Sequence, residues 1–376
     1  MNRSSSDPKA APWLVPALAT PSLRSQRRPD GALVLGAGQD LGPIPRCLGD
    51  LLQANASRHG ERIFLRERAP SGDWRTLTWG EALSRVRALA QALLDLGAGP
   101  ERPLLLLSGN SIDHALLTLA AMHVGIPAAP VSVAYSLMSR DFAKLRTIAA
   151  SVTPAVVFVE DPRPFAPAMR AAGLDSLPLI VGAGKADTGA VGNGAALDIE
   201  ALVRTEPGPA VDAAFDALDG DSVAKILFTS GSTGMPKGVV NTQRMLCSNQ
   251  AALARLWPFL AADAAAGRPP QICDWLPWNH TFGANFNFNL ILMHCGSLWI
   301  DGGKPAPGLF AQTLANLREC RPTLYFNVPR GYELLIDALE QDDALNRHFF
   351  AELQLLFYAA AALPQHLWAR LEALSV

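Results

Sequence analysis

Four short, unbroken apolar runs constrain this chain more than anything else in it: PLLLLS (103–108), AVVFVE (155–160), LPLIVG (177–182) and KILFT (225–229). Runs this short, apolar at consecutive positions, read as strands buried on both faces, the pattern of a parallel sheet. Stretches with helical spacing separate them. Leu48, Leu51 and Leu52 mark a short helix, and Ile63, Phe64 and Leu65 a strand. Thr78, followed three residues later by Glu81, is a capping box. Behind it Ala82, Leu83, Val86, Leu89, Ala90, Leu93 and Leu94 recur at helical intervals until Gly97 ends the helix. Asn110 is placed to cap the next helix, 126–133 reads as a strand and 141–150 as a helix. A second alternating half follows 225–229: helix 309–320, strand 324–328, helix 331–339, strand 353–358 and helix 364–374. The expected fold class is α/β, with mostly parallel sheets flanked by helices in two similar subdomains.

Composition narrows the function classes. The 376 residues are 49% apolar and 18% charged, which excludes a disordered chain and predicts a substantial core. Lys and Arg number 32 against 34 Asp and Glu, so no basic excess points to nucleic acid. Cys47, Cys247, Cys273, Cys295 and Cys320 are odd in number and never spaced C-x-x-C, as in a reduced, cytoplasmic chain without a zinc ribbon. Two stretches of 26 residues, 114–139 and 275–300, carry no charge. Their His, Asn, Gly and Pro content fits buried helix-plus-strand segments, not membrane insertion. Residues 1–43, rich in Pro, Ser and Arg at their start, read as a mobile extension, and 44–376 as one large domain.

The sharpest motif is ILFTSGSTGMPKGVV (226–240). An apolar strand runs into a segment with Gly231, Gly234 and Gly238, the hydroxyls of Thr229, Ser230, Ser232 and Thr233, and Lys237. Glycines let backbone N–H groups wrap an anion, hydroxyls add donors, and an ammonium suits phosphate. The carboxyl end of a parallel strand is also where open α/β sheets bind ligands. This is not a Walker A loop: Pro236 stands where the second Gly belongs, and Gly238 follows Lys237. GAGQDLG (36–42) has Leu41 in place of the third Gly of G-x-G-x-x-G. Neither Ser230 nor Ser232 sits in a nucleophile elbow, and no histidine pair has H-E-x-x-H spacing.

TSGSTGMPKG closely resembles the phosphate signature of adenylate-forming enzymes, the family of acyl-CoA synthetases, aryl-CoA ligases and peptide-synthetase adenylation domains. The resemblance implies ATP, Mg²⁺ and CoA as co-substrates and a small carboxylic acid as partner. It implies that Thr229, Ser230, Gly231, Ser232, Thr233, Gly234 and Lys237 contact the triphosphate. LPWNHTFGANFN (276–287) resembles the segment that closes the carboxylate pocket, with His280 as gate and Thr281 and Phe282 beside it. YFNVPRGYELL (325–335) resembles the strand–V-P–helix segment lining the acyl pocket, at Val328. FYAAAALPQ (357–365) resembles the adenine-contact strand end, which implies that role for Ala360 and Ala361, although the family usually has Gly and often Pro there. Residues 107–145 and 278–292 look most like feruloyl-CoA synthases, ligases of hydroxycinnamic acids.

Asn285, Asn287 and Asn289 alternate with Phe286, Phe288 and Leu290, which by period alone reads as strand. The resemblance implies helix, with Asn285 and Asn289 on one face, either reading substrate oxygens or pairing within the core. His294 and Cys295 lack further ligands at metal spacing. The family's Mg²⁺-holding Glu segment, its ribose-binding Asp segment and its C-terminal lid are not found. The resemblance therefore implies an incomplete large N-terminal domain of a longer synthetase, which would not itself complete CoA thioester formation.

Overall fold

The computed structural model describes residues 16–185, 196–230 and 234–375. The buried runs form a seven-stranded sheet in the order Pro236–Thr242, Val223–Ser230, Ala128–Pro130, Leu104–Leu106, Val156–Val159, Leu179–Val181, Ala196–Asp198. Only Pro236–Thr242 runs antiparallel to its neighbour. Successive side chains point to opposite faces, and both faces are buried. Leu104, Leu106, Val156 and Phe158 join the core between the two sheets, while Leu105, Leu107, Val157 and Val159 join a second core behind.

The second sheet runs Gln271–Asp274, Ser297–Ile300, Ile63–Arg68, Trp74–Thr78. The parallel pair Leu324–Asn327 and Leu355–Tyr358 continues it, with the Thr323 N–H donating to the Gln271 carbonyl at 2.9 Å. The early strand Ile63–Arg68 thus pairs with Ser297–Ile300 from the later half, so the sheets do not divide the chain into consecutive halves. Period two persists here: Ile272, Leu298, Leu324 and Phe326 face the first sheet, while Cys273, Trp299 and Tyr325 face an outer core.

Helix Ile112–His123 lies between the sheets with every residue buried. Its cap is Ser111, whose hydroxyl accepts the His114 N–H, and not Asn110 as the sequence reading has it. The Asn110 amide instead bridges to the second sheet's loop, donating to the Leu276 carbonyl and accepting the Trp278 N–H, each at 2.9 Å. The uncharged stretches resolve into buried helix and strand, and among the described residues no helix is long and apolar enough to cross a membrane.

Within the segment read as a mobile extension lies an antiparallel hairpin, Leu23–Arg27 with Leu33–Ala37. All ten of its strand residues are exposed, so the pairing leaves no buried face for a sequence pattern to report. A helix Asp343–Phe350, absent from the sequence reading, follows helix Pro329–Gln341.

The Thr78–Glu81 capping box is present, with the Thr78 N–H donating to Glu81 at 2.8 Å and the Glu81 N–H to Thr78 Oγ1 at 3.3 Å. Thr78→Ala is expected to destabilise the chain by about 1 kcal/mol, read as a lower urea midpoint with unchanged far-UV circular dichroism.

Candidate active site

Strand Val223–Ser230 leads into the glycine- and hydroxyl-rich turn, and Pro236–Thr242 returns beside it. Gly231, Ser232 and Thr233 lie outside the described residues. Gly234 has φ +78°, a left-handed conformation that glycine alone adopts without strain. Thr229 pairs with Lys237 and Ser230 with Pro236. Lys237 therefore stands on the returning strand, exposed and opposite Thr229, not within the loop where the sequence reading puts it. Alternation along this strand puts Lys237 and Asn241 on one face, roughly 13 Å apart at 3.3 Å per residue.

Asn241 lines a cavity of ≈ 420 Å³ with Met245, Asn249, Thr281, Phe282, Asn285, Phe286, Phe357 and Ala359. Its aromatic side is built from Phe286 stacked on Phe357 at 5.4 Å, with Phe282 edge-on to both and to Phe326. Phe282–Asn287 is a π-helical turn that continues into the α-helix Phe288–Met293, so these residues are helical and not a strand. The wider turn separates the asparagines. Asn285 lines the cavity and donates to Asn241 Oδ1 at 2.9 Å and to Thr281 Oγ1 at 3.3 Å. Asn287 points the other way, donating to Asp274 at 2.8 Å. Asn289 is 0% exposed, its amide has no partner, and it does not line the cavity.

Side chains from three elements hold this turn. Gln250 of helix Gln243–Leu256 donates to the Asn285 carbonyl at 2.8 Å and the Phe286 carbonyl at 3.3 Å. Lys225 of strand Val223–Ser230 donates to the Ala284 carbonyl at 3.3 Å. Asp274, at the end of its strand, accepts from Asn287 and from the Leu276 N–H. Gly283 is required by close approach, because a Cβ there would run into the Leu276 and Pro277 carbonyl oxygens.

The remaining sequence candidates lie around this cavity without lining it. His280 is exposed in the turn just before Thr281, with Nδ1 3.5 Å from the Phe282 N–H. Val328 caps helix Pro329–Gln341 and packs against the main core. Ala360 and Ala361 are exposed just beyond strand Leu355–Tyr358, after Ala359 of the cavity wall. Ala360 has φ +77°, so this chain keeps a glycine-type backbone without the glycine.

Sequence reasoning missed Asn110, Lys225, Asn241, Gln250 and Asp274. One signal was available: Asp274 directly ends an apolar strand, and Lys225 interrupts one. A larger cavity, ≈ 670 Å³, is lined by Glu67, Arg75, Asp113, Glu160 and Lys185, among others, but by none of the motif residues. Its Arg75 pairs with Asp113 at 2.7 Å, and burial pushes the Glu67 carboxyl up to about 7. Among the described residues no group of three or more His, Cys, Asp or Glu could hold a metal ion, so no metal ligand is assigned.

The fold is a mixed α/β one, with the sequence motif at the end of a buried strand and an aromatic-sided cavity further along the returning strand Pro236–Thr242. The AMP-binding enzyme family model matches residues 52–375, and the chain belongs to that family. It is similar to the long-chain-fatty-acid–CoA ligase heimdall of Drosophila melanogaster, 26% identical over 311 residues, covering 78% of this chain and 42% of the relative. It is also similar to the L-proline–[L-prolyl-carrier protein] ligase of Streptomyces coelicolor, 27% identical over 301 residues, covering 77% and 50%. The chain thus spans half or less of these two relatives. The fold matches that of the anthranilate CoA ligase AuaEII in complex with anthranoyl-AMP, with a TM-score of 0.69 at 19% identity, covering 90% of this chain and 60% of that one.

Two outcomes follow from the site's supports. Burial pushes the Asp274 carboxyl up to about 7, against hydrogen bonds from Asn287 and Leu276 that favour its charged form. Because that value exceeds the ordinary one near 4, stability associated with this group is greatest at low pH and fades as pH rises from about 4 to about 7. Asp274→Asn is expected to remove this component, of slope up to about 1.4 kcal/mol per pH unit, in urea midpoints compared across pH. Parallel curves for the two proteins would contradict it. Ala360→Gly is expected to raise stability by about 0.5–1 kcal/mol, seen as a higher Tm, by relieving the left-handed alanine.

Proposed function

We propose that this chain carries the acyl-adenylate-forming site of an acid–CoA ligase acting on an aromatic acid of the hydroxycinnamate type, such as ferulate. The observation that supports it best is the strand Pro236–Thr242. One face of that strand carries Lys237, beside the hydroxyl-rich turn, and Asn241, in the wall of an aromatic-sided cavity. At ≈ 420 Å³ the cavity has the size of a small-molecule site. An aromatic ring would lie against Phe282, Phe286 and Phe357, with the Asn249 amide and the second Asn241 amide N–H available to ring oxygens and Asn285 holding Asn241 in place.

In the first half-reaction a carboxylate oxygen of the acid attacks the α-phosphorus of ATP, and pyrophosphate leaves. The carboxylate is already ionised at pH 7, so no general base is needed. Thr229, Ser230, Gly231, Ser232, Thr233, Gly234 and Lys237 would hold the β- and γ-phosphates, and His280 would close the carboxylate end. Ala360 and Ala361 would lie along the adenine. Charge stabilisation and positioning are the main aids such a displacement can receive. In the second half-reaction the CoA thiol attacks the acyl carbon and AMP leaves. Mg²⁺ belongs with the triphosphate in this reading, and no step is assigned to it here. All five cysteines are free and buried, in keeping with a reducing compartment where ATP and CoA are found.

The test is calorimetric titration of the chain with ATP and with ferulate, benzoate and octanoate. Ferulate is expected to bind best, and Lys237→Ala to weaken ATP about tenfold while leaving the fold intact, since an exposed lysine forfeits little packing. Preference for octanoate would overturn the aromatic assignment. Unchanged ATP affinity in a folded Lys237→Ala protein would remove that residue from the site.

A further inference from the structure

Among the described residues Lys225 is the only lysine or arginine whose side chain is buried, at 2% exposure. Burial lowers its ionisation, and no carboxylate offsets that. Its ammonium has the Ala284 carbonyl at 3.3 Å and the Phe288 ring at 5.9 Å. Beside it is a cavity of ≈ 10 Å³, room for about one water, lined by His114, Thr118, Pro130 and Trp278. The Thr118 hydroxyl has no partner.

The backbone directs the side chain inward. Val223 pairs with Thr242, but Lys225 and not Ala224 pairs with Asn241, so the strand carries one extra residue at this point. Such a bulge re-aims side chains. Ala224 and Lys225 are consecutive, yet both are buried. A lone buried ammonium is a net cost to a fold, so its benefit has to be sought in what it touches.

We propose that Lys225 is a positioning residue whose ammonium clamps the turn Phe282–Asn287 to the strand leading into residues 229–234. The clamp fixes the cavity wall formed by Phe282, Asn285 and Phe286 relative to the turn that precedes Lys237. Its bearing on acid binding rests on the function proposed above; the clamp itself does not. Burial lowers the Lys225 ammonium to about 7. His114 is the titratable group facing it, and burial together with the Lys225 charge pushes His114 down to about 3, so it stays neutral throughout the working range. The other lining residues, Thr118, Pro130, Trp278, Ala284 and Phe288, do not titrate. The clamp is therefore charged below pH 7 and weakens as pH rises through it.

Hydrogen–deuterium exchange of peptides covering 276–293, normalised to peptides from helix Ile112–His123, tests this on the chain itself. Lys225→Met is expected to unfold at the wild-type temperature or above, yet to exchange in 282–287 about tenfold faster at pH 6, the loss of one charged hydrogen bond. Lys225→Gln, which retains a neutral donor, should recover part of the protection. Asp274, which accepts from Asn287 at the far side of the turn, also titrates at about 7, so wild-type protection should fall more between pH 6 and 8.5 than that of the Met variant, in which Asp274 alone still titrates there. A folded Met variant with wild-type protection, or one that loses stability with exchange raised uniformly, overturns the proposal. Should the Met variant not fold, an Asp274→Asn chain with Lys225 intact decides: a step that persists there supports the clamp, and pH-independent protection overturns it. In titrations the Met variant should bind ferulate about tenfold more weakly with ATP affinity unchanged. Wild-type chain that binds no acid defeats the function reading and leaves the exchange result to decide the clamp.

Discussion

A helix with no wet side must find partners for its polar groups among its neighbours, and helix Ile112–His123 sets that condition for the whole molecule. It meets both sheets, and they supply partners for Asp113 and His114, while the Thr118 hydroxyl and the His123 ring nitrogens have no hydrogen-bond partner among the described residues. Arg75, from the second sheet, reaches Asp113 at 2.7 Å, and Ser108, beyond the end of a first-sheet strand, pairs with His114 Nδ1 at 2.8 Å. His123, held neutral by burial and pushed down to about 4, stacks on Phe215 at 4.3 Å. Asn110, one residue before the cap, extends the same layer to the loop ahead of the cavity.

The π-helical turn occupies this layer too, and the same rule explains its surroundings. A widened turn offers carbonyls to its neighbours, and burial makes leaving them unpaired costly. Gln250 and Lys225 meet three of them, while Asp274 meets the Asn287 side chain from the far side. The cavity wall is therefore held from both sheets and from helix Gln243–Leu256. Phe282, Asn285 and Phe286 are the residues of the turn that face the cavity.

How far the sequence was legible follows from what each signal measures. Unbroken apolar runs report burial on both faces, and strands 104–106, 156–159, 179–181 and 223–230 appear where those runs are. The capping box reports a local bond and is present. Sheet membership is not local: nothing in Ile63–Arg68 says that it pairs with Ser297–Ile300. The Asn/Phe alternation at 285–290 misleads because period two is only a pattern of types: in the packed turn the consecutive Asn285 and Phe286 both line the cavity. Asn110 and Ser111 are both good caps by type, and the long-range bonds of Asn110 decide which one serves. Of the candidate site, the 226–240 motif and the 276–287 segment were visible as strings. Asn241, Gln250 and Lys225 were not, because their roles depend on elements 35 to 59 residues away along the chain.

The bulge ahead of Lys225 also fixes the phase of everything downstream on its strand. After it Lys225 and Leu227 turn toward one sheet face, with Ile226 and Phe228 packed on the other. A strand has only two faces, so adding or removing a single residue inverts them all. For this protein the tolerance to insertion and deletion should therefore be sharply uneven. The exposed hairpin Leu23–Arg27 with Leu33–Ala37 has no buried face to lose. One residue dropped between Val223 and Lys225 would turn hydrophobic side chains over along the strand as far as Thr229. Reading frame aside, the smallest possible change in length at this point is among the most disruptive the chain could undergo.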